Sequence, residues 1–246
     1  MRDLNKEFQD TEVRKYAYNF DYILRNYMIK TFKPFFAGLD NALEMGCYHG
    51  EFTKKILPYF KSITVLEGSS DLIKIANDNI NNNNVKFINS MFEDWESEHK
   101  YDAIFLVHTL EHIDDPIFIL NKISNSLSEN GKLFLVVPNA NAASRQIAVS
   151  MDLIPFNAAV TEGEFSHGHR VTYSFDTLEN DVKSSGLEII TKTGIFFKPF
   201  ANFQFEKMIE NNVIDESFLD GCYNLGFKYP DLTASIFLLC GKKNDI

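Results

Sequence analysis

The sequence predicts an α/β fold: a mostly parallel sheet of seven strands with helices on both faces. Two observations carry that prediction. From residue 41 onward, short apolar runs alternate with helical stretches, the rhythm of strands buried on both faces and joined by helical crossovers. The first strand also runs straight into a glycine-punctuated loop, Asn41-Ala42-Leu43-Glu44-Met45-Gly46-Cys47-Tyr48-His49-Gly50, with a helix next and Glu67 at the end of the second strand. That order describes a nucleotide-cofactor site at the carboxyl end of the sheet.

Each element has its own signal. Residues 11–33 are helical by periodicity, with Val13, Tyr16, Ala17, Phe20, Ile23, Leu24, Tyr27 and Met28 recurring at three and four, and Pro34 marks the end. Strands are expected at 41–45, 62–67, 85–89, 101–107 and 131–137, with helices near 50–58, 69–79 and 115–127. Asn81 to Asn84 form a polar turn before the third strand, and Glu129-Asn130-Gly131 reads as a turn before the fifth. After Pro138 the rhythm changes: a helix over 141–151, a loop-like stretch with Pro, Gly and His, a helix over 175–185, and a strand over 187–197. A last strand, 234–241, follows the segment 199–230, whose Phe200, Phe203, Phe205, Met208, Ile209 and Val213 suit a helical cap.

Composition narrows the function. The 246 residues suit a single domain, 1–246, and 45% hydrophobic residues suffice for its core. A net charge of −10 argues against binding that rests on neutralising many phosphates, so nucleic acid is not the expected partner. Cys47, Cys222 and Cys240 lack metal-ligand spacing and form no disulfide framework. No apolar run approaches the ~18 residues of a membrane span, and the charged amino terminus lacks a signal-peptide core. A cytoplasmic location is expected.

The loop itself limits the ligand. Its spacing is Gly-x-x-x-Gly, whereas a dinucleotide fingerprint needs Gly-x-Gly-x-x-Gly and a phosphate-binding loop needs Gly-Lys-Ser/Thr. It carries a carboxylate of its own, Glu44, which suits a ligand that is positive near this turn. Glu67 lies where open α/β sheets place an acid that accepts hydrogen bonds from both hydroxyls of a ribose; a solvent-facing Glu in a strand-to-helix turn is the plainer reading.

The segment Tyr101-Asp102-Ala103-Ile104-Phe105-Leu106-Val107-His108-Thr109-Leu110-Glu111-His112-Ile113-Asp114-Asp115-Pro116 is the second dense signal. Together with Leu43 to Gly50, Val65-Leu66-Glu67 and Gly131-Lys132-Leu133-Phe134-Leu135-Val136-Val137-Pro138-Asn139, it resembles a class I S-adenosylmethionine-dependent methyltransferase. The subgroup it is most similar to is the ubiquinone-biosynthesis-like small-molecule methyltransferases, over about residues 40 to 192. The resemblance implies a Rossmann-like sheet whose last strand runs antiparallel, and S-adenosylmethionine as cofactor. It implies that Glu44, Gly46, Cys47, Tyr48 and Gly50 cradle the methionine part, that Glu67 with Gly68 and Ser69 receives the ribose, and that Met91 and Phe92 pack on adenine. For the last two, ordinary apolar packing is the rival. His108 would stand beside the sulfonium. Tyr48 occupies the place of the family's usual middle glycine, which demands either a permissive backbone angle there or a different loop.

His108, His112, His167 and His169 fall in segments expected at one end of the sheet. Methyl transfer to a hydroxyl requires loss of its proton, which an imidazole can take, so His169, His167 and His108 are the candidate catalytic residues. Ordering a lid or binding polar groups of the substrate is the alternative for His167 and His169, and His112 more simply fixes the local loop. His167, His169, Glu162 and Glu164 are metal-ligand types without a compact motif, so no metal is expected. Residues 1–36, 140–168 and 198–230 would form a helical substrate lid, with plain core packing the equal rival for the aromatic-rich stretches 16–36 and 195–205; Arg145 and Lys198 are available to an anionic acceptor, isolated solvated charges being the commoner explanation. The expected activity is methylation of a small molecule at oxygen, by a monomer or homodimer. An N- or C-methyltransferase of a small metabolite or nucleotide-linked sugar, a non-catalytic S-adenosylmethionine-binding module, a macromolecular methyltransferase and an oxidoreductase are its rivals.

Overall fold

The computed structural model describes residues 4–5, 19–97 and 99–243. Seven strands form one sheet: β1 (Asn41–Met45), β2 (Ser62–Glu67), β3 (Val85–Asn89), β4 (Tyr101–Val107), β5 (Leu127–Pro138), β6 (Leu187–Phe197) and β7 (Thr233–Lys242). Their order is β3-β2-β1-β4-β5-β7-β6, with β7 antiparallel to both β5 and β6 and the other pairings parallel. The chain leaves β1 toward β2 and later returns to its other side as β4. The order reverses there, and open sheets bind ligands in the crevice beyond such strand ends.

Alternation along the central strands builds two cores. Ala103, Phe105, Phe134, Val136, Phe237 and Leu239 face one side, whereas Ile104, Leu106, Leu133, Leu135, Ile236 and Leu238 face the other. On the first side pack α1 (Asn19–Phe32), α2 (Glu51–Ile56), α3 (Ser70–Ile80), α8 (Asn202–Glu210) and α9 (Glu216–Gly226). On the second lie α4 (Pro116–Ser126) and α7 (Phe175–Lys183). The shorter α5 (Ala143–Ser150) and α6 (Glu162–Ser166) belong to the segment after β5.

Caps set several boundaries. Ser69 accepts from the Leu72 N–H and opens α3, whose end is Asn81 in the left-handed region at φ 41°. Asp115 accepts from Phe118 N–H and Pro116 sits in the first turn of α4, where its missing N–H costs nothing.

One expectation needs correction. The turn at Glu129-Asn130-Gly131 does not precede β5 but lies inside it. Tyr101 pairs with Leu127 and Ala103 with Lys132, so residues 128–131 bulge opposite Asp102, whose carboxylate accepts from the Ser128 hydroxyl at 3.1 Å. For the amino-terminal helix, burial favours the core reading that stood beside the lid. Residues 11–18 of that expectation lie outside the described residues, but α1 buries Phe20, Leu24, Tyr27, Met28 and Phe32. Phe32 stands within ring-packing distance of Phe237 (4.7 Å), Phe134 (5.4 Å), Phe105 and Phe52 (both 6.3 Å). Among the described residues no helix is long and apolar enough to cross a membrane.

If α1 is part of the core, Phe32→Ala lowers unfolding free energy by about 3–5 kcal/mol, measured by urea denaturation. A loss below about 1 kcal/mol would mean that the helix merely rests on the sheet.

Candidate active site

A cavity of about 530 Å³ opens at the carboxyl ends of β1 and β4, within the size range of small-molecule sites. Gly46 ends β1 at φ 81°; a Cβ there would meet Thr109 Oγ1 at 3.1 Å. Thr109 in turn donates to Met45 and Val107 carbonyls at 3.3 and 3.1 Å, fastening the two strand ends side by side. A side chain at position 46 would therefore both strain the backbone and wedge these strands apart.

The middle-glycine question has a clear outcome. Tyr48 keeps the left-handed backbone at φ 50°, so the loop retains its shape at a cost of about 1–2 kcal/mol for a residue with a Cβ. Its ring stacks on His49 with centroids 3.8 Å apart. His108, ending β4, is likewise left-handed at φ 50°. Strain of this kind collects where a site over-determines the backbone, and both residues line the cavity.

Glu67 organises the loop. Its Oε2 accepts from Cys47 N–H at 3.1 Å and its Oε1 from Ser69 N–H at 2.9 Å. Burial raises its pKa, while the N–H groups of Ser69, Cys47, Gly68 and Tyr48 pull the other way. Each carboxylate oxygen still has accepting capacity, so the residue can order the loop and receive a diol. Cys47 lies beside it, and burial together with Glu67 pushes its thiol up, so it stays protonated.

Glu44 is 3% exposed, and its Oε2 has no partner among the described residues. Burial pushes its carboxyl up to about 8, against the pull of Thr53 and Arg25. Arg25, which the sequence analysis did not single out, projects from α1 into the same cavity, and its Nη1 is also buried without a partner among the described residues. Burying such atoms unpaired costs free energy. A ligand carrying both an ammonium and a carboxylate, as the amino-acid part of S-adenosylmethionine does, would pair both. Met91, Phe92, Gly68, Leu72 and Leu4 supply the wall beyond Glu67, a suitable face for a purine ring. The residues present fit the expected cofactor.

Two predicted contacts act from behind. Ser69 is fully buried and does not line the cavity; its hydroxyl caps α3 and donates to Asn5 Oδ1 at 2.8 Å, while its N–H holds Glu67. Gly50 caps α2 at φ 82°, packed under Ile80 and Ala76 rather than on the cavity.

All four clustered histidines line the same cavity. His108 Nε2 lies 2.9 Å from Ser235 Oγ; burial first, then the positive charge of Arg25, hold its pKa down to about 3. Burial also lowers His169, whose Nδ1 has no partner among the described residues and whose ring meets His112 edge-on at 4.6 Å. Glu111 is 1% exposed, with its carboxyl raised by burial to about 8.

The sequence-based ligand set does not assemble. Glu164 is committed to the Thr161 backbone and hydroxyl and to Arg145, which outweigh burial and hold its carboxyl below its ordinary value. The described groups close enough to share a cation are Glu111, His112 and His169, with ligand atoms within 4.8 Å of one another. Arg145 is likewise removed as a substrate cation, since it also donates to the Asn157 and Ala159 carbonyls and so pins the 140–168 segment. Lys198 remains on the cavity wall with Asp21, Asn202, Glu164 and Ser235.

A family model described as a methyltransferase domain matches residues 20–192. The chain is 34% identical over 96 residues to a malonyl-[acyl-carrier protein] O-methyltransferase of Ilyobacter polytropus, covering 38% of this chain and 36% of that protein. It is 23% identical over 164 residues to the ubiquinone biosynthesis O-methyltransferase of Xanthomonas axonopodis pv. citri, covering 65% and 67%. The chain thus spans 36% and 42% of the lengths of the first curated relatives it matches. Among solved structures, an S-adenosylmethionine-dependent methyltransferase from Clostridium acetobutylicum superposes with TM-score 0.59 at 14% identity, covering 97% of this chain and 98% of its own. The N-methyltransferase NodS from Bradyrhizobium japonicum, in complex with S-adenosyl-L-homocysteine, gives 0.56 at 12% identity, covering 90% and 86%. These two establish the likeness of fold.

The buried carboxyls give the ligand-free protein a distinctive pH dependence. Glu44 and Glu111 bind protons more tightly when folded than at their ordinary value of 4.5, so their stabilisation is complete below that value and is lost as pH rises toward about 8. His108 works in the opposite sense below its ordinary 6.5, so the informative window lies above it. Urea unfolding should show stability falling between pH 6.5 and 8, with a shallower fall in Glu44→Gln. Stability that rises across this window would contradict the burial of these groups.

Proposed function

The chain belongs to the methyltransferase-domain family, and from that premise we propose that it transfers a methyl group from S-adenosylmethionine to an oxygen atom of a small molecule, releasing S-adenosylhomocysteine. One observation carries the reading. A single cavity is lined by Glu44 and Arg25, each with a buried atom that has no partner among the described residues, by the loop-bound Glu67, and by His108, His167 and His169.

Bound S-adenosylmethionine supplies an electrophilic methyl on a sulfonium. The residues of the chain then divide the work. Glu67 receives the ribose hydroxyls, Arg25 the carboxylate and Glu44 the ammonium, and Met91 with Phe92 closes on the base. His108 is the neutral neighbour of the sulfonium: with its pKa pushed down to about 3 it adds no positive charge beside a cationic ligand. That separates it from the base. His169 is neutral as well, because burial lowers its pKa, and its unpaired Nδ1 accepts the proton of the acceptor hydroxyl as the oxygen attacks. The edge contact with His112 fixes the ring, and holding nucleophile and methyl carbon in line contributes alongside proton removal. Three free cysteines suit the cytoplasm as the compartment.

Incubation with isotopically methyl-labelled S-adenosylmethionine and a small-molecule cell extract, followed by mass spectrometry, should reveal a labelled O-methyl product. Binding of S-adenosylmethionine with no product over a broad acceptor panel would indicate a binding module instead.

On the identified acceptor, His169→Ala should lower turnover by about 10²–10⁴-fold with cofactor affinity nearly unchanged. Equal loss of both would remove His169 as the base.

A further inference from the structure

The cavity contains a cation that the cofactor reading does not use. Lys198 follows β6, and its side chain lines the cavity with His108, His167 and His169. Other basic groups at this end are spent: Arg145 holds Glu164 and two carbonyls, and Arg170 pairs with Asp114 at 2.9 Å. The Lys198 ammonium has neither a hydrogen bond nor a salt-bridge partner among the described residues. Asp21 and Glu164 favour its charged form from a distance and Arg145 opposes it, yet burial prevails and its pKa is lowered.

A second group points the same way. Asn202, at the start of α8, donates to Asp21 Oδ1 at 2.7 Å, leaving its own Oδ1 buried without a partner among the described residues. Asp21 is therefore engaged by Asn202, beside a lysine that it does not reach. Together they form a polar corner of the cavity with a lysine that makes no ion pair and an open acceptor oxygen, among the described residues. Water is a poor match for a half-buried ammonium compared with an anionic oxygen, since hydrogen bonds between charged groups are the stronger ones.

We propose that Lys198 is the subsite for an anionic group, a carboxylate or a phosphate, on the acceptor molecule, with Asn202 Oδ1 receiving an O–H or N–H of that molecule beside it. This rests on reading the cavity as a methyl-transfer site. The anion pairs with Lys198 and restores the charge form that burial disfavours. It also sets the acceptor's orientation, directing its hydroxyl toward His169.

Calorimetric titration of the full chain tests this, with and without saturating S-adenosylhomocysteine, using benzoate and phenyl phosphate as anionic probes and benzamide as the neutral isostere. The wild type should bind at least one anion about tenfold more tightly than benzamide. Lys198→Met should abolish that preference without changing S-adenosylhomocysteine affinity, and Lys198→Arg should retain it; the tighter anion identifies carboxylate or phosphate. Equal binding of all three probes, no detectable anion binding, or an unchanged preference in Lys198→Met overturns the subsite. Loss of S-adenosylhomocysteine binding in Lys198→Met overturns it too, by revealing a structural role. Failure of the wild type to bind S-adenosylhomocysteine would sink the methyl-transfer reading separately, and the titration without it still decides the anion preference.

Discussion

The site depends on one buried carboxylate that does two jobs. Glu67 ends β2, yet its oxygens hold backbone N–H groups of two other segments: Cys47 from the loop after β1, and Ser69 at the start of α3. The loop after β1 has no phosphate-type glycine pattern to impose its shape. It is held from outside by this acceptor and from below by Thr109, which leaves room only for glycine at position 46. Removing the carboxylate would leave two buried N–H groups unpaired, at roughly 1–3 kcal/mol each, and would release the loop after β1.

A common electrostatic logic links the remaining parts. Glu44, Glu67 and Glu111 are buried carboxyls whose pKa values burial raises, and a nearby cation would stabilise their charged forms. His108 is held neutral by burial first and then by the positive charge of Arg25, and the pKa of His169 is lowered by burial first. The cleft thus favours a positively charged ligand, and His108 and His169 present it no competing imidazolium charge. This is the arrangement a sulfonium requires. In the proposed reading Arg25 receives the amino-acid carboxylate of the cofactor and Lys198 an anionic group of the acceptor.

Strands β1 to β4 were legible to the residue because runs such as Leu43 to Met45 and Ala103 to Leu106 are buried on both faces and bounded by turn residues. The start of β5 was misread because Glu129-Asn130-Gly131 has the chemistry of a turn, and only pairing with β4 turns it into a bulge. Helix α6 escaped the periodic reading because it is one short turn-and-a-half; its signal was the Thr161 to Glu164 capping box. In the site, loop, acid and histidine positions could be read from order and spacing. Arg25 and Asn202 could not, since they enter from α1 and α8 by tertiary packing, and Asp21 with Arg25 looks in sequence like an ordinary solvent-side pair four residues apart. Ser69 and Gly50 were credited with contact where they act through a helix cap.

The most direct test is a crystal structure of the protein with S-adenosylhomocysteine. The account predicts ribose hydroxyls on Glu67, the amino-acid group between Glu44 and Arg25, the base against Met91 and Phe92, and the thioether directed toward His108 and His169. A nucleoside bound elsewhere, or one whose amino-acid end avoids Glu44 and Arg25, would contradict it.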